Sequence, residues 1–230
     1  MLMLTLKSND VDIWAATLNI EPSQEQKYLS FLNQDEILRA NRFHFSIHRQ
    51  RFIAARGILR KLLGKYLNLE PQKIEFTYGP HNKPFLHFPS SMLLQFNLAH
   101  SDEMAIFAFT KHHAIGIDIE KIEDKNHDAL ARRFFSDAEN QYLIQLPHDE
   151  RIRYFYYLWS RKEALIKAVG KGLSIPLSSF SVISSNTERF TLENKSWHLE
   201  SIAVNPHYAA AFAIEDGKDK VTYREFAILA

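Results

Sequence analysis

The spacing of apolar and polar side chains divides the chain into segments with a helical period and segments with a strand period. Apolar side chains recur every three to four positions over residues 46–66 and 151–169, which predicts two long amphipathic helices. Three shorter helices are predicted to begin near Ser23, Asn33 and Ser136. Alternation predicts strands over residues 11–18, 74–78, 93–98, 104–110, 114–120, 197–204, 207–214 and 221–227.

The order of these segments repeats once along the chain. A long helix is followed by strands that include a small-apolar strand, AIFAFT in the first part and YAAAFAI in the second. This repetition predicts an α+β fold with two similar α/β halves, although two amphipathic helices also resemble each other by chance. No low-complexity linker separates the halves, so we expect them to pack into one body.

Composition and charge narrow the class of protein. The 230 residues carry 28 Lys and Arg against 27 Asp and Glu, so no global field favours nucleic acid or an anionic membrane. The absence of cysteine rules out thiolate catalysis and fits a reducing compartment. With no leader pattern and no long apolar run, we expect a soluble, cytoplasmic protein without a membrane span.

The strand at residues 114–120 places two carboxylates on one face. Because side chains alternate along a strand, Gly116, Asp118 and Glu120 share the side opposite the isoleucines. Both carboxylates are then close enough to bind one cation, and Gly116 is expected to leave room for a ligand. The alternative is a half-exposed strand with a solvated charged face.

The second long helix carries a matching group of polar residues. Trp159, Glu163 and Lys167 lie at i, i+4 spacing on one side of it. A surface Glu–Lys pair with a core tryptophan would explain this spacing equally well. With Lys162 and the glycines Gly170 and Gly172 nearby, however, the helix also suits a magnesium ion and a diphosphate.

A third polar cluster ends the strand FNLAHS, where His100 and Ser101 follow an apolar alternation. Taken alone, His100 is better explained as a hydrogen-bonded histidine at a strand end.

Three motifs in order resemble those of the Sfp-type 4′-phosphopantetheinyl transferases. FNLAHS is similar to the family's F-N-x-S-H-S, GIDIE to its G-x-D-x-E, and WSRKEALIKAVGKGL to its W-x-x-K-E-x-x-x-K-x-x-G-x-G-L. The Asn-Lys-Pro turn at residues 82–84, RRFF and LSSFSV add to the likeness, which is strongest over residues 80–182. The resemblance implies two α/β halves related by pseudo-twofold symmetry, residues 1–112 and 113–230, with the active site at their interface.

The resemblance also implies a reaction. Family members transfer the phosphopantetheine arm of coenzyme A to a serine of an apo acyl or peptidyl carrier protein and release adenosine 3′,5′-bisphosphate. Asp118, Glu120 and Glu163 would hold Mg²⁺, or Mn²⁺ in its place, against the diphosphate. Lys167 would steady the phosphate charge, and either Glu163 or a metal-bound water would accept the serine proton.

Coenzyme A contacts follow by the same resemblance. His100 and Ser101 would bind the phosphate, Lys83 would lie near the nucleotide end, and Arg51 would contact the 3′-phosphate. Ala99 stands where the family usually has serine. Without that hydroxyl we expect coenzyme A to bind up to about tenfold more weakly.

Segment 121–135, with Lys125, Arg132 and Arg133, is the candidate docking surface for an acidic carrier protein, and a solvated helix face is its alternative reading. We expect a monomer. Two other functions stay open on the residues alone: a metal-dependent phosphodiesterase or diphosphate hydrolase, and a non-catalytic carrier-binding module. Fatty acid, polyketide and nonribosomal peptide carriers are all candidate substrates.

Overall fold

Six helices and ten strands make up the part of the chain that this computed structural model describes, residues 3–79, 81, 83–87, 94–183, 189–216 and 218–226. The helices are α1 (Pro22–Leu29), α2 (Gln34–Ala40), α3 (Ser46–Leu67), α4 (Asp128–Phe134), α5 (Asp137–Leu143) and α6 (His148–Val169). The strands are β1 (Asp10–Thr17), β2 (Phe76–Tyr78), β3 (Pro84–Leu86), β4 (Leu94–Ser101), β5 (Met104–Lys111), β6 (Ile115–Lys121), β7 (Arg189–Leu192), β8 (Lys195–Ile202), β9 (Tyr208–Glu215) and β10 (Lys220–Glu225).

The predicted elements are confirmed, with ends shifted by a few residues, and one α-helix, two strands and three single-turn 3-10 helices are additional. Helix α4 and strands β3 and β7 were not predicted, because each has only three to seven residues and shows no full period. The predicted strand ends at residues 93 and 227 lie outside the described residues, as does Asn82 of the Asn-Lys-Pro turn.

Two four-stranded sheets form the centre of the molecule, in the orders β10–β1–β5–β4 and β6–β9–β8–β7. Strands β2 and β3 form a separate pair. The last strand, β10, runs parallel to β1 and so joins the first sheet. The chain therefore returns to its first half at its end, and the division at residue 112 stays a prediction.

Alternation of side chains along the strands builds three apolar layers. In β5, Phe107 and Phe109 pack toward α3, whereas Ile106 and Ala108 pack toward the second sheet. On the far side of that sheet, a third cluster joins it to α6. The order of layers is helix, sheet, sheet, helix, and the predicted α+β fold with two similar halves is confirmed.

The same arrangement of buried ion pairs occurs in both halves. The glutamate of a capping box, Glu36 before α3 and Glu139 before α6, accepts hydrogen bonds from its own helix N-terminus. The same glutamate pairs with buried cations of the long helix that follows: Glu36 with Arg56 and Arg60, and Glu139 with Lys162. Each short helix is thereby fixed against its long helix.

Gly116 lies where β6 approaches the backbone of α6. A Cβ at this position would lie 2.1 Å from the carbonyl oxygen of Ala164 and 2.2 Å from the amide nitrogen of Ala168. The helix backbone thus occupies the space beside Gly116. The prediction that this glycine leaves room for a ligand is wrong; it brings α6 against the carboxylate face of β6.

Candidate active site

Strand β6 presents its carboxylates toward α6, as the alternation predicts. Ile115, Ile117 and Ile119 are buried between the sheets. Asp118, on the opposite face, is only 3% exposed. Glu120 follows at the end of the strand, where its Oε2 accepts a hydrogen bond of 3.2 Å from the hydroxyl of Ser101.

Helix α6 places Glu163 and Lys167 against these carboxylates. The Lys167 ammonium donates a hydrogen bond to Oδ1 of Asp118 at 2.5 Å. The other oxygen, Oδ2, is buried and has no hydrogen-bond partner among the described residues. An unpartnered buried carboxylate oxygen is costly, so it marks a position suited to a cation.

The charges in this site do not balance. Burial raises the pKa of Asp118, Glu120 and Glu163, and the charge of Asp118 adds to the rise at the other two, so that the pKa of Glu120 reaches about 7. Burial also opposes the charge of Lys167, but the carboxylates, Asp118 first, outweigh it and raise its pKa. Three acidic groups share one ammonium, an excess of negative charge that attracts a further cation.

The carboxylate oxygens are suitable ligands for a hard divalent cation, but the three side chains do not converge on one point. Among the described residues, no group of three histidine, aspartate or glutamate side chains is placed to hold a metal ion. Carboxylate oxygens are nevertheless the ligands that Mg²⁺ prefers, and Oδ2 of Asp118 needs a partner. Binding of one ion by all three requires their side chains to converge further.

A cavity of about 490 Å³ opens next to Glu120. Both halves line it, with Arg51 from α3, His100 and Ser101 from the end of β4, and Lys121 from the end of β6. Desolvation lowers the pKa of His100, and the nearby cations Lys167, Arg39 and Arg51 lower it further. The His100 ring is therefore neutral at physiological pH and able to accept or donate a hydrogen bond.

Asp102 joins the two halves at the edge of this cavity. Its two carboxylate oxygens each lie 2.5 Å from a cation, Oδ1 from Nη1 of Arg51 and Oδ2 from Nζ of Lys121. These pairs hold the two cations at the cavity. The sequence did not single out Asp102, and it gave Lys121 only as the first residue of segment 121–135, because ion pairing across the halves leaves no periodic signal.

Lys83 does not join this group. Its ammonium donates to the carbonyl oxygens of Ile115 and Lys167, at 3.0 Å and 2.6 Å, and burial lowers its pKa to about 8. Ile115 and Glu120 are five residues apart on β6, which separates them by about 17 Å. Lys83 instead lines a separate cavity of about 190 Å³.

Lys162 does not belong to the site either, so its predicted place beside a diphosphate is wrong. It is fully buried, pairs with Glu139 at 2.7 Å, and donates to the carbonyl oxygens of Leu177 and Phe180. Glu139 also accepts a hydrogen bond from the amide of Val182 at 2.8 Å. The network thus connects α6 to the LSSFSV segment, residues 177–182.

The neighbours of two motif residues are apolar. Trp159 lies against the rings of Phe134, Phe135 and Phe155, as its core interpretation predicts. Ala99 is 6% exposed and packs in the cluster between the sheets. A hydroxyl at Ala99 would enter this core, so the predicted effect on coenzyme A binding has no geometric support.

Comparison with known proteins identifies the family. Residues 114–213 match the 4′-phosphopantetheinyl transferase superfamily, and residues 19–112 match the N-terminal region of a 4′-phosphopantetheinyl transferase. The chain is 39% identical to the 4′-phosphopantetheinyl transferase HetI of Nostoc sp. over 92% of its own length and 90% of that protein. The chain belongs to the 4′-phosphopantetheinyl transferase superfamily.

A second relative agrees with this assignment. The chain is 32% identical to the 4′-phosphopantetheinyl transferase Sfp of Bacillus subtilis, over 84% of its own length and 86% of that protein. The predicted Sfp-type family and enzyme class are therefore confirmed: the protein is a phosphopantetheinyl transferase. Within the described residues, no helix is both long and apolar enough to cross a membrane.

Proposed function

We propose that this chain transfers the 4′-phosphopantetheine arm of coenzyme A to a serine of an apo carrier protein in a Mg²⁺-dependent reaction. The observation that carries the proposal is the set of acidic side chains on β6 and α6, next to a cavity lined by Arg51 and His100. Asp118, Glu120 and Glu163 would hold the ion. Bound there, Mg²⁺ would neutralise charge on the diphosphate.

Two residues of the chain then accept the serine proton and stabilise the charge on the phosphates. The serine oxygen forms a bond to phosphorus, and the phosphorus–oxygen bond to the leaving adenosine 3′,5′-bisphosphate breaks. The raised pKa of Glu163 makes it a suitable acceptor for the serine proton. Lys167, with its raised pKa, stays charged and stabilises the negative charge that grows on the phosphates.

Coenzyme A contacts are assigned on two sides. We place a phosphate of coenzyme A beside His100 and Ser101, and its 3′-phosphate beside Arg51, whose guanidinium already lies at the cavity. Lys83 is kept as a contact for the nucleotide end, across the separate cavity that it lines. Arg51→Ala and Lys83→Ala should each raise KM for coenzyme A more than KM for the carrier.

We propose segment 121–135 as one docking surface for the carrier. Lys125 is exposed, as are Arg132 and Arg133 of α4, and Leu130 is 42% exposed beside them. Such a surface suits an acidic partner with apolar side chains. Increasing salt should therefore raise KM for the carrier steeply and KM for coenzyme A much less, whereas equal salt dependence would speak against docking there.

The deciding experiment combines the purified protein, coenzyme A, Mg²⁺ and an apo acyl carrier protein. The mass of the intact carrier should increase by one phosphopantetheine, and the increase should disappear with EDTA and return with Mg²⁺ or Mn²⁺. Cleaved coenzyme A without a modified carrier would show a diphosphate hydrolase instead. A carrier that is bound but unmodified would show a binding module.

Three further parts of the proposal concern the protein in the cell. We infer a cytoplasmic monomer that does not bind nucleic acid, in keeping with the near-neutral charge and the lack of cysteine. Cell fractionation and light scattering test the location and the monomeric state. Parallel assays with fatty acid, polyketide and nonribosomal peptide carriers determine the pathway.

A further inference from the structure

An apolar and cationic segment borders the same cavity as segment 121–135. All eight residues from 41 to 48 are exposed, and three of them are large apolar residues: Phe43 is 39%, Phe45 60% and Ile47 41% exposed. We call residues 41–48 the aromatic rim. Exposed apolar patches bordered by polar residues often mark protein interaction sites.

Phe45 is the least expected residue of the aromatic rim. It occupies the N-cap of α3, with φ −96° and ψ 133°, and makes no side-chain cap. Aspartate, asparagine and serine stabilise helices at this position, and bulky apolar residues do not. Phe45 meets the rings of His44 and His48 edge-on and is 60% exposed, so neither capping nor core packing accounts for an aromatic ring here.

The charge around the aromatic rim is one-sided. Residues 37–49 contain Arg39, Arg42 and Arg49 and no aspartate or glutamate. Arg49 is paired with Glu25, which leaves the first two arginines to set the local field. A complementary partner therefore presents carboxylates together with apolar side chains.

The aromatic rim borders the cavity, so a macromolecule that binds at the cavity can contact it. Phe43 and His48 line the 490 Å³ cavity from the rim, and Lys121 and Tyr156 line it from the other half. A carrier that directs a serine into this cavity therefore meets lining residues from both halves of the chain.

We propose that the aromatic rim is a second docking surface for the carrier protein, where Phe45 and Ile47 contact apolar side chains of the carrier while the nearby Arg39 and Arg42 face its carboxylates. This inference rests on the proposed function. It adds a surface in the first half of the chain to the one already proposed in the second, so the carrier bridges the two halves.

The experiment uses two substitutions at one position. Phe45→Asn and Phe45→Asp both remove the ring and both add a good N-cap, so α3 should be at least as stable as before. Only the aspartate adds a charge that repels an acidic partner. Met3→Asn is the control, because Met3 is 58% exposed and lies beside the far end of α3, about 30 Å from the rim.

Measurements with the full chain are kcat, KM for coenzyme A, KM for an apo acyl carrier protein, and the unfolding temperature. We expect Phe45→Asn to raise KM for the carrier about fivefold and Phe45→Asp more than about tenfold. KM for coenzyme A should stay within about twofold, and the unfolding temperature should not fall. Met3→Asn should match the unmodified chain throughout.

Several outcomes would overturn the inference. Unchanged KM for the carrier in both Phe45 variants would do so, as would a dimer that Phe45→Asp dissociates, because the rim would then bind a second copy. If the unmodified chain transfers nothing, the proposed function fails separately. Binding of a carrier with its serine replaced by alanine then still tests the rim, and equal affinity for all variants refutes it.

Discussion

The Lys167 ammonium lies 2.5 Å from Oδ1 of Asp118, while Oδ2 of the same carboxylate has no hydrogen-bond partner among the described residues. One oxygen of Asp118 is thus paired by the chain itself, and the other is the one that we propose for a cation. Burial raises the pKa of Asp118, and the charge and hydrogen bond of Lys167 oppose that rise.

The first prediction concerns Glu163→Gln. The substitution removes a proposed metal ligand and proton acceptor, so transfer should fall at least about 100-fold. Stability should hold or increase, because a buried charge next to Asp118 is removed. Transfer assays and thermal unfolding measure the two effects. Glu150→Gln, in the exposed first turn of the same helix, is the control; comparable losses in both variants would contradict a role specific to Glu163.

The second prediction concerns pH. The pKa of Glu120 is raised from 4.5 to about 7 by burial and by Asp118, so the folded protein binds this proton more tightly than the unfolded chain. Stability should therefore fall as pH rises from about 4.5 to about 7. The raised pKa values of Asp118 and Glu163 act in the same direction.

Thermal unfolding without divalent ions, over about pH 5 to 8, tests this dependence. Glu120→Gln should show a smaller decrease in unfolding temperature over this range than the unmodified chain. Added Mg²⁺ should restore stability mostly at the upper end, where the carboxylates are ionised. Parallel curves for the two proteins would show that Glu120 does not titrate as expected.

The third prediction separates Lys162 from Lys167. Lys162→Met leaves the carboxylate of Glu139 buried without its cation, and both side chains are 0% exposed. Breaking such a pair costs about 3–5 kcal/mol of unfolding free energy. Chemical denaturation should show this loss, with transfer by the remaining folded protein little changed. Lys125→Met, which breaks the exposed pair with Glu123, should leave stability unchanged.

The fourth prediction concerns Gly116→Ala. The added methyl group would overlap the backbone of Ala164 and Ala168, which cannot move aside as a side chain can. We expect a loss of about 1–3 kcal/mol in stability and a lower kcat, because α6 and Lys167 move away from Asp118. Gly79→Ala is the control, because its new methyl would lie 3.0 Å from the Phe85 ring and 3.9 Å from the nearest backbone atom, the carbonyl oxygen of Lys83. Equal stability of the two variants would refute the close contact.

The sequence by itself determined the local structure and the class of chemistry. The shared face of Asp118 and Glu120 follows from a period of two, and the alignment of Glu163 with Lys167 follows from the helical repeat. The capping boxes at Asn33 and Ser136 are also local, and both are present in the structure. The three spaced motifs carried the family, because they combine site residues such as Asp118 with structural residues such as Lys162 at fixed spacing.

Only the tertiary structure decided which partner each side chain has. Lys162 and Lys167 are five residues apart on one helix, yet one pairs with Glu139 in the core and the other with Asp118 in the site. The sequence also did not predict that the backbone of α6 packs against Gly116 or that β10 joins the first sheet. Periodicity fixes the direction of a side chain relative to its own element, whereas the partner depends on how distant elements pack.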